Sequence, residues 1–514
     1  TIHDVIDRAP RPSHGIVRHR SRVRRGRHGE RQPSSARGEK CGDVAIASGL
    51  RRAVRAMTRT RDDDDAHDDD DRRGARALVD DSGAPNVFEN DDYVEPTPEN
   101  DEALTFTVRG GRASTTAMSL RATSMTSTAV DKDAPYNTHI ASNHDGTSCA
   151  VATTSGRVRV YARERATGAF AHGEREIRLN ASVNECEFGS AADPFSIVCA
   201  CGDGTTRVYD ARSQDDRPTA SFRAPFNERD VASASLGGSA SDFLVATAVG
   251  PHVAFYDRRQ QGNASLFQDA HSEAVTRVRF HPERRSELYT SSVDGLVCAF
   301  DCAHTPLNDE ESLISVMSAE AAVNNIGFCR SGSSGDARDA LWCVTGVEDA
   351  HIFVASSDRR RVGVHLVHLK NARELVRAAA TSSPEVSASA PEFAAQVDYV
   401  LGIHDGVAPG ELFLSAGTQS GVVGIFPLVQ GSPSMRGTSA YVGLGAPAAV
   451  LRRGHRDIVR SIVWDANATA SESARVPATV GEDALVCAWT PDVGNEERPP
   501  VDRARPPGRR HSPY

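Results

Sequence analysis

Two histidines in this chain stand where acid–base chemistry is conceivable. His455 has Asp483 downstream and His271 has Asp294; an imidazole oriented by a carboxylate is a common general base. A catalytic reading also needs a nucleophile, a metal motif or a phosphate loop. The chain carries no GxSxG elbow, no HExxH and no Walker loop. The neighbouring residue types favour a structural row instead. Gly454-His455 is followed by Thr479, Asp483 and Trp489, and Ala270-His271 by Thr290, Asp294 and Phe300. Histidine, threonine, aspartate and tryptophan can hydrogen-bond in sequence, tying a loop to the strands below it. Phe300 cannot donate, so the row of His271, Thr290 and Asp294 is expected to be one bond shorter than that of His455, Thr479, Asp483 and Trp489.

A second constellation suits recognition. Tyr209-Asp210-Ala211-Arg212 and Tyr256-Asp257-Arg258-Arg259 repeat one pattern. Arginine's planar fork holds a carboxylate or carbonyl with two bonds and stays charged when partly desolvated. Asp210, Arg212, Asp257 and Arg259 are therefore candidate partner-binding residues. The plainer alternative is that each arginine pairs with its own aspartate and caps the strand end. The cysteine pairs Cys199/Cys201 and Cys298/Cys302 have no companion pair at zinc spacing. Isolated strand cysteines behave as small apolar residues. No cofactor and no metal site is expected.

What positions these residues is a short pattern that recurs seven times. A small or acidic turn residue is followed six positions later by a bulky residue ending an alternating strand. The copies run Ser155–Tyr161, Asp203–Tyr209, Gly250–Tyr256, Asp294–Phe300, Glu348–Val354, Ser420–Phe426 and Asp483–Trp489. Period-two runs such as Arg157-Val158-Arg159-Val160-Tyr161 read as half-buried strands, and the Asp-Gly turns supply the positive φ of tight hairpins. Repeats of roughly 40–50 residues that end this way predict an all-β, seven-bladed β-propeller of WD-repeat type. The repeats centre on 136–165, 171–212, 219–259, 265–303, 312–356, 396–428 and 448–490. The Ala/Ser/Pro stretch Ala378–Pro391 reads as a surface insertion, as do Ser331–Asp339 and Ala468–Ser473. A single-chain ring must also be sealed. Leu104–Arg109 alternates without a place in the first repeat, and is expected to be the outermost strand of the last blade.

The rest of the chain bounds the function. The propeller is assigned to 101–492. Residues 1–100 are expected to be disordered, first basic and then acidic: Asp62–Asp65 and Asp68–Asp71 repel one another and bury nothing apolar. A calcium loop is excluded there because no glycine stands at the sixth position and no glutamate closes it. Three readings stay open for residues 1–56: translated upstream sequence with Met57 as the start, which is preferred, a basic tail, or a transit peptide. Residues 493–514 read as a short, flexible basic end. No apolar run approaches the roughly 18 residues of a membrane helix, and the scattered cysteines suit a reducing compartment, cytosol or nucleus.

The span from about 135 to 490 resembles the WD-repeat family of WD repeat-containing protein 89. The likeness is carried in order by Gly156–Arg165, Cys201–Arg212, Ala270–Pro282, Asp398–Gly402, and Gly454-His455 through Gly481–Ala484. The long acidic N-terminal region departs from that family. The resemblance implies a propeller adaptor, monomeric within a complex. The tandem Asp-x-Arg segments are also similar to the WDxR box of cullin-4 RING ubiquitin ligase substrate receptors, with tyrosine for tryptophan. That implies that Arg212 and Arg259 face the ligase's propeller adaptor. The leading expectation is a non-catalytic protein–protein scaffold, with ubiquitin-ligase substrate reception its sharpest form. The alternative is a nucleic-acid-associated propeller in ribosome assembly or chromatin, using Arg277, Arg279, Arg284, Arg285 and Arg359–Arg361. Interleaved acidic residues and a net charge of −10 argue against that alternative.

Overall fold

The computed structural model describes residues 118–128, 136–491 and 502–503. Within these it leaves out 165–168, 171–174, 240–241, 261–262, 305–306, 332–337, 407–409, 431–441 and 465–476. All the described residues fall in one compact unit. The assignments made above to residues 1–100 and to Leu104–Arg109 lie outside them, as does most of 493–514.

In chain order, β1 (Met118–Ser127) comes first and is followed by seven antiparallel blades. Blade 1 is β2 (Asn137–Ser142), β3 (Ser148–Thr153), β4 (Arg157–Ala162) and β5 (Arg175–Arg178). Blade 2 is β6 (Val183–Phe188), β7 (Ser196–Cys201), β8 (Thr205–Asp210) and β9 (Ala220–Arg223). Blade 3 is β10 (Ala234–Gly237), β11 (Leu244–Val249), β12 (His252–Asp257) and β13 (Asn263–Phe267). Blade 4 is β14 (Val275–Phe280), β15 (Glu287–Ser292), β16 (Leu296–Asp301) and, after the short α1 (Asp309–Ser312), β17 (Leu313–Ser318). Blade 5 is β18 (Val323–Cys329), β19 (Ala340–Thr345), β20 (Ala350–Val354) and β21 (His365–Leu369). Helices α2 (Ala372–Thr381), α3 (Pro384–Ser389) and α4 (Pro391–Ala395) follow. Blade 6 is β22 (Tyr399–Asp405), β23 (Leu412–Gly417), β24 (Val423–Gln430), β25 (Val442–Leu444) and β26 (Ala449–Arg452). Blade 7 is β27 (Val459–Val463), β28 (Ala478–Gly481) and β29 (Leu485–Pro491).

The seven recurring segments are the third strands of the seven blades. The turn into each has a residue with positive φ: Gly156, Gly204, Gly250, Gly295, Glu348, Gly421 and Ala484. Their terminal residues Tyr161, Tyr209, Tyr256, Phe300, Val354, Phe426 and Trp489 are all buried. The sequence repeat is offset from the blade by one strand. The repeat at 171–212, for instance, opens on β5 of blade 1 and ends on β8 of blade 2.

Blade stacking explains the burial. The hydrophobic core forms seven slabs, one at each blade junction. The slab joining blade 7 to blade 1 packs Ala478, Val480 and Val486 against Ile140, Val151 and Tyr161, so the ring is closed. Middle strands are therefore covered on both faces, and Ser196–Cys201 and Leu244–Val249 are buried throughout. That goes beyond the half-buried strands that alternation alone implies. Arg159, on the polar register of β4, is tolerated inside because Glu176 pairs with it at 2.8 Å.

Polar bonds lace the blades near the axis. Bulges interrupt the pairing at the second residue of several innermost strands. Their side chains reach the next blade: Thr138 donates to the Val183 carbonyl, Asn184 to that of Val231 and Thr276 to that of Val323. The innermost strands surround a cavity of about 420 Å³ lined by His139, Glu187, Arg279, Asn325 and His404 among others.

The seal is made by β1. It pairs antiparallel with β29, from Leu120 opposite Pro491 to Ser127 opposite Leu485, as the fourth strand of blade 7. Its first residues also pair in parallel with β26, Met118 opposite Ala449 to Arg121 opposite Arg452, joining blades 6 and 7 in one sheet. The place expected for Leu104–Arg109 is thus held by Met118–Ser127. The Ala378–Pro391 expectation is corrected too. These residues lie in and between α2, α3 and α4, where Val376, Ala380, Val386, Ala390 and Phe393 are wholly buried in the slab between blades 5 and 6. Ala372, Val376 and Ala380 recur every fourth residue and give α2 one apolar stripe. Its alanines disguise it as low-complexity loop.

Candidate partner-binding rim

Asp210 ends β8 and Asp257 ends β12, and the chain turns immediately after each. In that turn the Arg212 main-chain N–H donates to Asp210 Oδ1 at 2.9 Å, fixing the backbone that carries the arginine. The guanidinium then closes a two-point pair, Nε to Oδ1 at 3.0 Å and Nη2 to Oδ2 at 2.8 Å. Arg259 repeats this on Asp257: main-chain N–H at 2.9 Å, Nε at 2.9 Å and Nη2 at 2.6 Å. The arginine bonds hold both carboxyls below the usual range. Each guanidinium also lies over a phenyl ring, Arg212 over Phe195 at 4.4 Å and Arg259 over Phe243 at 4.0 Å. Phe195 and Phe243 are the residues just before β7 and β11, equivalent places in blades 2 and 3. Side-chain exposure stays at 64% for Arg212 and 61% for Arg259.

The structure therefore brings each aspartate to its own arginine, in adjoining blades and at equivalent strand ends. The surrounding rim is braced. Arg175 of blade 1 donates to the carbonyls of Asp210 and Asp215, and Arg258 of blade 3 pairs with Asp193 of blade 2 at 2.6 Å. Both arginines of the boxes are thus cations presented on a fixed base.

The other predicted residues meet deep in blades 4 and 7. Trp489 Nε1–H donates to Thr479 Oγ1 at 2.8 Å, and Thr479 Oγ1 is also hydrogen-bonded to His455 Nε2 at 2.8 Å. His455 Nδ1–H then donates to Asp483 Oδ1 at 3.0 Å. Asp483 also accepts the main-chain N–H groups of Arg456 and Leu485. In blade 4, Thr290 bonds His271 Nε2 at 2.7 Å and His271 Nδ1 bonds Asp294 at 3.1 Å, and the row stops at Phe300. Burial alone would raise Asp294 and Asp483; the histidine and main-chain donors outweigh it and hold both below the usual carboxylate range. Gly454 leaves room for the indole, because a Cβ there would overlap the Trp489 ring.

Known proteins align with most of this wheel. The chain is 30% identical over 386 residues to WD repeat-containing protein GTS1 of Arabidopsis thaliana, which covers 72% of this chain and 87% of that relative. It belongs to the WD-repeat family. The WD repeat-containing protein 89 homolog of Dictyostelium discoideum is 29% identical over 147 residues, 29% of this chain and 37% of that protein. No family model matches the chain.

Membership of the WD-repeat family supports a protein-interaction scaffold, and the structure bears on the competing reading. Of the arginines offered for nucleic acid, Arg277 and Arg279 face the buried carboxylate of Glu185. Arg284 is paired with Glu287 and Arg285 with Asp242, each at 2.8 Å. These four are each less than a third exposed and share three carboxylates, which argues against an outward-facing phosphate-binding patch. Cys199 and Cys201 sit in an apolar slab, and burial pushes their thiols up, to about 11 for Cys201.

One residue escaped the sequence pattern. Asp301 ends β16 of blade 4 as Asp210 and Asp257 end their strands, but its own turn has no arginine. Arg359, from the loop after β20 of blade 5, pairs with Asp301 across the blade junction and is 64% exposed. Blades 2, 3 and 4 thus carry an exposed Asp–Arg pair at the same position. A local pattern search cannot find the third, since its halves lie 58 residues apart.

Proposed function

We propose that this WD-repeat wheel is a non-catalytic scaffold serving as a substrate receptor for a cullin-4 RING ubiquitin ligase, with Arg212 and Arg259 docking on the ligase's propeller adaptor. The observation that carries the reading is the pair of exposed guanidiniums at equivalent rim positions of adjoining blades. Each uses Nε and Nη2 on its aspartate, so the Nη1 donors are not engaged by that carboxylate. Because the aspartate and the phenyl ring hold the fork in place, little side-chain entropy is lost when a partner carboxylate or carbonyl arrives. Arg359 extends this row by one blade. A receptor of this kind works in cytosol or nucleus, where buried thiols such as Cys329 and Cys343 stay reduced.

The self-pairing of each arginine also fits a purely structural cap, and one experiment separates the two. Affinity purification with mass spectrometry is run on wild type and on the double variant Arg212→Ala, Arg259→Ala. Loss of the cullin-4 adaptor with an unchanged melting temperature supports the receptor. Recovery of the same partners by both proteins refutes it and leaves the cap.

A further inference from the structure

Blade 5 holds a polar cluster that neither the rim nor the hydrogen-bonded rows use. Asp349 lies in the turn before β20, His351 on β20, and His365 and His368 on β21. Register places His351 opposite His368, and an irregularity in the pairing brings His365 opposite Phe353. Phe353 packs into the slab between blades 4 and 5, so this face of blade 5 looks toward blade 4. One ligand atom from each of Asp349, His351 and His368 lies within 4.8 Å of the other two. His368 Nε2 is 3.2 Å from Asp349 Oδ2, and His351 Nδ1 is 3.2 Å from His365 Nε2. The rings of His351 and His368 stack with centroids 4.2 Å apart.

One atom here lacks a role within the protein. His351 is fully buried, yet its Nε2 has no hydrogen-bond partner among the described residues. Buried polar atoms rarely stay unpaired, and one that does calls for a ligand or a function. The other nitrogen of His351 is held by His365. Metal-binding histidines are arranged this way, one ring nitrogen on the ion and the other fixed by a neighbour. Two imidazoles and one carboxylate, without sulfur, suit zinc, whose bonds of about 2.0–2.1 Å put tetrahedral ligand atoms about 3.3 Å apart.

We propose that Asp349, His351 and His368 form a site for a zinc-type divalent ion, with His351 binding through Nε2 and His365 acting as its positioning residue. The ion replaces the hydrogen bond between His368 Nε2 and Asp349, and the imidazole N–H moves to His368 Nδ1 by exchange with solvent, so that Nε2 offers its lone pair. His368 turns out of its ring stack to aim its lone pair, a motion its 25% side-chain exposure allows. The bound ion ties the turn before β20 to the outer strand of the blade.

The full chain, stripped with EDTA and kept reduced by a phosphine, is titrated with Zn²⁺ against a chromophoric chelator. The wild type is expected to take up one equivalent more than His368→Gln or Asp349→Asn, whatever the Asp62–Asp71 run binds, and to melt higher when loaded. His365→Gln should bind about 10–100-fold more weakly, as loss of a supporting partner does. X-ray absorption of the loaded wild type should show only nitrogen and oxygen ligands. Equal uptake by wild type and both ligand variants, sulfur in the ligand shell, or no uptake at all overturns the site. If the variants do not fold by circular dichroism, the wild-type stoichiometry and absorption spectrum decide alone.

Discussion

Replacing Thr479 by valine keeps the shape of the side chain and removes one hydroxyl that serves two neighbours. Trp489 Nε1–H loses its acceptor and His455 Nε2 loses its partner, both at 2.8 Å and both buried. A lost bond that strands a buried polar partner costs about 1–3 kcal/mol. Two such losses put Thr479→Val at about 2–6 kcal/mol. Thr290→Val in blade 4 removes the hydroxyl bonded to His271 alone, because Phe300 supplies no donor, and should cost about 1–3 kcal/mol. The same exchange in two blades of one protein thus differs by one stranded partner, and context effects partly cancel. The assay is denaturant and thermal unfolding followed by far-UV circular dichroism, with Trp489→Phe added to complete a double-mutant cycle in blade 7. Thr479→Val should cost clearly less in the Trp489→Phe background than in wild type. If Thr290→Val costs as much as Thr479→Val, or the cycle is additive, the row is not a chain of dependent bonds and the reasoning fails.

Glu187 gives a pH-dependent test. Burial beside the axial cavity raises its carboxyl to about 7, against the pull of Arg279, and its Oε2 has no hydrogen-bond partner among the described residues. A carboxyl raised in the folded state destabilises when ionised, so the penalty is absent below the unfolded value, grows above it and is complete above about pH 7. Glu187→Gln should therefore gain about 1–3 kcal/mol at pH 8 and nothing at pH 4, as read by melting at the two pH values. Phe393→Ala tests the helical insertion: its ring is wholly buried and lies 6.0 Å from that of Phe426. A loss of about 3–5 kcal/mol is expected on chemical denaturation; a change within the range of a surface substitution would show that α4 is not part of the core.

What the sequence revealed and what it hid follow from the range of each interaction. The third strands were legible because turn, alternation and terminal bulky residue are adjacent in the chain, as in Asp294 to Phe300. The rows around His455 and His271 were legible because their residue types are diagnostic and their order is kept. The pairing of Arg212 with Asp210 was readable for the same reason, being two residues long. Helix α2 was obscured because its stripe of Ala372, Val376 and Ala380 is thin in apolar area. Arg359 on Asp301 and the histidines of blade 5 depend on contacts between strands, and no period in the chain records them. The sealing strand was foreseen as a need but sought in Leu104–Arg109, since both segments are short and edge positions demand only free backbone groups.

The seal through β1 has a consequence for how the molecule is made. A ribosome releases Met118–Ser127 near the start of the wheel and Leu485–Pro491 near its end, so the first of these strands waits while the intervening blades emerge. Throughout that interval it offers unsatisfied amide and carbonyl groups to any neighbour on the polysome. The closing pair spans more than 350 residues, and its loop entropy is offset only when blade 7 arrives to be matched. A transcript cut short within the last repeat would therefore yield a ring with a permanent gap and a frustrated strand beside it.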